Sequence, residues 1–160
     1  MRGSLKLKGK IYKACLQGVL LYDRETWAIK VENMNKLERA ERSMMRMMCD
    51  VSLKDRKSSR LIVSWLGIDP VSVLVRRGRL RWFGHVERKD KKDWVSACRD
   101  MKVDGTKDRG RGRKTWMECI VSDMKSFGLR REDAQNREIW KDRIAGNRLS
   151  AHVQTQPHRR

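Results

Sequence analysis

Apolar residues return at intervals of three and four along nearly the whole chain, and only two prolines interrupt them. That spacing gathers side chains on one face of a helix. It predicts an all-α chain of about six helices with little or no strand. A first helix over Leu5 to Tyr22 is apolar on two sides. Leu7, Ile11, Ala14, Gly18, Leu21 and Tyr22 make one stripe; Tyr12, Leu16, Val19 and Leu20 make another. A helix apolar all round is expected to lie between partners, and this chain offers few. The segment reads as shaped to pack against something upstream that this sequence lacks.

A second helix is predicted from Asn33, as its cap, to Val51. Its inner face is Met34, Leu37, Met44, Met45 and Met48, unbranched side chains suited to irregular gaps. Arg39, Arg42 and Arg46 form a ridge nearly opposite. That ridge either tracks a phosphate strand or pairs locally with Glu38 and Glu41. A third helix, near Arg56 to Trp65, stops at Gly67. Asp69 as cap and Pro70 at the first helical position then open a fourth helix. Its inward stripe is Val71, Leu74, Val75, Gly78, Trp82 and Val86, with His85 beside it. Val73, Leu80 and Phe83 face away, among Arg76, Arg77, Arg79 and Arg81. Basic residues interleaved with an outward ring suit a nucleic-acid surface, since Arg pairs with phosphate and a ring stacks on a base. The alternative, that Leu80 and Phe83 pack on another helix, stays open.

A fifth helix over Asp93 to Val103 is expected to turn Trp94, Ala97, Cys98 and Met101 inward. Residues 104–114 then alternate glycine with base, including Arg109, Arg111, Arg113 and Lys114. Such a loop cannot hold a helix and is expected to order on RNA or a phosphate backbone. It lacks the Gly-Lys-Ser/Thr ending of a P-loop. Trp116, Cys119, Ile120, Met124 and Phe127 define a sixth helix closed by Gly128. A last helix from about Glu132 to Ala145 carries Trp140 and Ile144, and the polar residues 146–160 read as a disordered tail.

Charge sharpens this picture. The 160 residues hold 39 Lys and Arg against 20 Asp and Glu, a formal +19. Residues 1–52 carry a net +5, residues 53–114 a net +11 and residues 115–160 a net +3. So positive a chain repels itself unless a polyanion neutralises it, and phosphate backbone does so by releasing counterions. The expected partner is therefore RNA or DNA. Six Trp argue against wholesale disorder. The absence of a long apolar run argues against a membrane partner, and no cleavage signal follows the first apolar stretch. Four dispersed cysteines suit reduced thiols inside the cell, in nucleus or cytoplasm. The Arg109–Lys114 run would double as a nuclear-localisation motif.

Catalytic constellations are scarce. His85, Cys98 and Cys119 are the only mid-chain His/Cys group, each on or beside an inward stripe, which reads as packing rather than a zinc site. The acidic pairs Asp90/Asp93, Asp104/Asp108 and Glu132/Asp133 are crowded by bases and read as surface or helix-start charge. The expectation is no enzyme, no cofactor and no metal.

Several segments also resemble LINE-type (non-LTR) retrotransposon reverse transcriptases. Leu7-Lys-Gly-Lys-Ile-Tyr-Lys-Ala-Cys15, Leu20-Leu-Tyr22 and Glu25-Thr-Trp27-Ala28 resemble the stretch after the palm, with Asp23-Arg24 where Gly-Ser is usual. Leu37-Glu-Arg-Ala-Glu-Arg42, Arg79-Leu-Arg-Trp-Phe-Gly-His-Val-Glu-Arg88 and Gly110-Arg-Gly-Arg-Lys-Thr-Trp116 resemble the thumb and carboxy-terminal segments. The match runs from about Lys6 to Gly146. The family's palm Tyr-x-Asp-Asp hairpin, endonuclease and fingers are absent. The resemblance thus implies thumb-like helices over 1–52 and a basic helical segment over 53–145. It implies a truncated, non-catalytic fragment of an RNA-directed DNA polymerase, its partners nucleic acid and the missing palm and fingers. A binding role passes to Arg39, Arg42, Arg46, Arg76, Arg77, Arg79, Arg81 and the Gly-Arg loop, beside Phe83. The competing readings are a helical protein-interaction module and a relic reading frame without function.

Overall fold

The computed structural model describes residues 2–90, 92–101 and 114–146. Among them every regular element is helical, as the three-to-four spacing predicts. The amino-terminal helix comprises α1 (Arg2–Tyr12), a π-helical turn (Lys13–Gln17) and α2 (Gly18–Leu21). Then follow α3 (Val31–Met48), α4 (Ser59–Leu66), α5 (Val71–Glu87) and α6 (Trp94–Asp100). Then come α7 (Trp116–Phe127), a 3₁₀ turn (Glu132–Gln135) and α8 (Arg137–Ala145).

Boundaries follow capping chemistry. Ser58 caps α4 through the Leu61 N–H, and Gly67 ends it in the left-handed conformation (φ 62°). Thr115 and Glu118 close a capping box on α7, and Gly128 ends it (φ 65°). The predicted helix over 132–145 is divided, because Asn136 turns outward to accept from the Glu138 and Ile139 N–H groups and starts α8 afresh. α3 starts two residues before the predicted Asn33 cap.

The start of α5 differs from the prediction. Pro70, not Asp69, occupies the cap position. Asp69 instead pairs with Arg77 at 2.7 Å. The orphan Val71 N–H donates to both carboxylate oxygens of Glu41 on α3, at 2.9 and 3.0 Å. Tyr12 of α1 donates its hydroxyl to the same carboxylate at 3.1 Å. A buried acid thus ties three helices together where a helix start favours negative charge. Burial pushes the Glu41 carboxyl above its ordinary range, against the hydrogen bonds from Val71 and Tyr12.

Two apolar clusters join helices on both sides of residue 52. One holds Tyr12, Met45, Ile62, Leu66 and Ile68, the other Leu37, Val71 and Val75. Gly9 lies against the Leu66 carbonyl, so any side chain there would overlap α4. The third cluster gathers Leu80 and Phe83 of α5, Ile120 and Met124 of α7, and Trp140 and Ile144 of α8. α5 runs through the middle, with α2 and α3 packed at its start and α7 and α8 against the rest.

The first helix, expected to be covered on both apolar sides, is covered on one. Gly9 and Tyr12 face the core, while Leu7 and Ile11 of one stripe and Leu16 and Val19 of the other are exposed, with Tyr22 beyond them. The π turn inserts a residue between Tyr12 and Leu20, which keeps both against the core. On α6 the predicted face is reversed. Trp94, Ala97, Cys98 and Met101 are exposed and Ser96 is buried. No helix among the described residues is long and apolar enough to cross a membrane.

Candidate nucleic-acid interface

The arginines that the sequence groups together have different duties in the fold. Arg39 and Arg42 are exposed on α3, opposite buried Leu37 and Met45. Each uses one N–H on a carbonyl a turn earlier, Asn35 and Glu38 respectively, which leaves most guanidinium donors facing solvent. Arg46 is half-buried and structural. It donates to the carbonyls of Ser52 at 3.2 Å and Lys57 at 2.9 Å, pinning the connection to α4. The local alternative for the ridge fails at Glu41, which points into the core.

α5 departs furthest from expectation. Phe83, predicted to stack on a base, is 0% exposed. It lies between Trp116 and Trp140, with ring centroids at 6.3 and 6.1 Å. Leu80 is equally buried. Arg79 is buried too, and its Nε and Nη2 both reach the Asp123 carboxylate on α7 at 2.8 Å. Burial pushes the Asp123 carboxyl upward while Arg79 and then Arg76 pull against it. Arg76 is half-exposed on that side. Arg77 bridges Asp69 and the Ala145 carbonyl, the latter at 3.1 Å. Arg81 is exposed, with no hydrogen bond or ion pair among the described residues. Phe83 and Arg79 therefore leave the set of surface contacts, because α5 is enclosed by α3, α7 and α8 rather than lying on the rim.

The solvent strip of α5 does hold an aromatic beside an arginine, but a different one. Half-buried Trp82 stacks on exposed His85 at 5.5 Å, next to Arg81. Both rings were expected on or beside the inward stripe. Gly84 completes the local logic. The Trp140 indole crosses it so closely that a Cβ would overlap the ring, and Trp140 Nε1 donates to the Leu80 carbonyl at 2.9 Å. Of the Arg-x-Arg-Trp-Phe-Gly-His-Val run, Arg79, Phe83, Gly84 and Val86 thus serve the core. Arg81, Trp82 and His85 face outward.

Beyond the end of α5 a groove of about 720 Å³ opens between α6 and the 3₁₀ turn. Its walls include Glu87, Arg88, Lys89, Arg99 and Arg131. Arg99 and Arg131 both hold Glu87, at 2.8 and 3.0 Å. Arg88 donates to the Ala134 carbonyl at 2.7 Å. Burial, and then repulsion from Arg137, lowers the Arg88 guanidinium from its ordinary value. The groove carries more basic than acidic walls, a feature spread over three segments and absent from any local motif. Lys114 is exposed, whereas Arg109, Arg111 and Arg113 and the tail lie outside the described residues. Of the three residues weighed as a metal group, Cys119 is buried and His85 and Cys98 are exposed.

No family model, curated protein or solved structure matches this chain.

Proposed function

We propose that the protein binds the phosphate backbone of RNA or DNA without catalysing a reaction, as an intracellular thumb-and-carboxy-terminal fragment of a LINE-type reverse transcriptase. One observation carries the binding reading. Among the described residues two carboxylates, Glu41 and Asp123, are buried, but only one base, Arg79, joins them. Burial among these residues therefore offsets none of the formal +19, and an excess of that size attracts a polyanion. Arg39, Arg42 and Arg81 supply exposed guanidinium groups for phosphate, and the Trp82–His85 stack offers a ring surface beside one of them. Contacts of this kind position a backbone and read little sequence. The family part of the proposal rests on the quoted sequence segments.

The test is fluorescence anisotropy of the full chain with a labelled RNA hairpin, an RNA–DNA hybrid and duplex DNA over a range of salt. Sub-micromolar binding that weakens steeply with salt is expected. A folded protein that binds none of the three would overturn the reading.

A further inference from the structure

Among the described residues, an unpartnered apolar run lies away from Arg39, Arg42 and Arg81, along the amino-terminal helix. Its core side is used by Gly9, Tyr12 and Leu20. Its outer side leaves Leu7 58%, Ile11 55%, Val19 74% and Tyr22 83% exposed. Scattered apolar residues on a surface are ordinary, but a run of this length along one element marks an interaction site. Leu7 to Tyr22 spans roughly 22 Å at a rise of ~1.5 Å per residue, the size of a helix–helix contact.

The charge beside this run selects the occupant. Lys6, Lys10 and Lys13 are exposed along it, and no acidic residue precedes Asp23. We propose that this face docks an amphipathic helix of another protein whose apolar stripe is edged by carboxylates. Ridges of Leu and Ile fill the grooves of such a helix, while the lysines steer and orient its acidic margin. A second copy fits poorly, because two chains of +19 repel. An anionic membrane would share the attraction to these lysines, and the vesicle measurement below separates it from a helix.

The test uses the full chain and three synthetic helical peptides: a leucine stripe edged by Glu, the same stripe edged by Lys, and a Glu-rich scramble without the stripe. At physiological salt the Glu-edged peptide is expected to bind at least about tenfold tighter than either other, a margin of about 1.4 kcal/mol. Leu7→Ser with Ile11→Ser, both at exposed positions, is expected to abolish that margin and leave the circular dichroism spectrum unchanged. Equal binding of the Glu-edged and scrambled peptides would reduce the effect to bulk charge and overturn the proposal. So would concentration-dependent dimerisation, or adsorption to phosphatidylserine vesicles, removed by the same double substitution.

Discussion

Glu41 and Arg79 show how a single charged side chain can serve the core of so basic a protein. Glu41 accepts from the Val71 N–H and the Tyr12 hydroxyl inside the fold. Glu41→Ala strands both donors and is expected to cost about 2–3 kcal/mol in urea denaturation. Glu41→Gln keeps an acceptor for Val71 and removes a buried charge. Burial raises the Glu41 carboxyl, so the folded state holds its proton more tightly than the unfolded one. The stabilisation from that proton is full below the ordinary glutamate range and is lost as pH rises through the raised value. The stability of Glu41→Gln relative to the parent is therefore expected to grow from acidic to neutral pH, which denaturation at several pH values measures. Arg79→Met leaves Asp123 buried without its partner and is expected to cost about 3–5 kcal/mol. Adding Asp123→Leu should recover most of that loss. Both acids were legible in principle. Glu41 falls four residues from Leu37 and from Met45, and Asp123 falls on the stripe of Ile120 and Met124. A carboxylate on an apolar stripe is the signal, but a run of four nearby arginines hides which one answers it.

At the scale of elements, the three-to-four spacing and the glycine stops placed most helices well. Gly67 and Gly128 both end helices in the left-handed conformation. Faces were less legible. A helix enclosed on several sides buries two stripes, and α5 does so. Its periodicity alone cannot say whether Leu80 and Phe83 meet water or α7 and α8. The first helix has the reverse problem, since two apolar stripes compete and tertiary packing selects the side that carries Tyr12 and Gly9, the latter small enough to approach Leu66. Gly84 is a second such contact. Gly84→Ala is expected to cost about 1–3 kcal/mol by forcing Trp140 off its bond to Leu80. A lowered melting temperature, with loss of the native tryptophan signal, would register it.

At the scale of the molecule, the buried charges among the described residues are two carboxylates, Glu41 and Asp123, and one base, Arg79. The net charge and its concentration in residues 53–114 were plain from composition. The partition between structural and free arginines was not, because it depends on Asp69, Asp123 and Ala145, contributed by other segments. Arg77 and Arg79 are consumed by the fold, whereas Arg39, Arg42 and Arg81 stay exposed.

The most direct measurement is the salt dependence of RNA binding by three proteins: the parent chain, Arg39→Gln/Arg42→Gln/Arg81→Gln, and Phe83→Leu. Three lost phosphate contacts should flatten the log–log slope by up to about 3 × 0.7 on single strands or 3 × 0.9 on duplex DNA. Phe83→Leu should lower the melting temperature and leave the slope of the folded protein unchanged. An unchanged slope in the triple variant, or a slope lost with Phe83 while the fold persists, would contradict the assignment of these arginines to the interface.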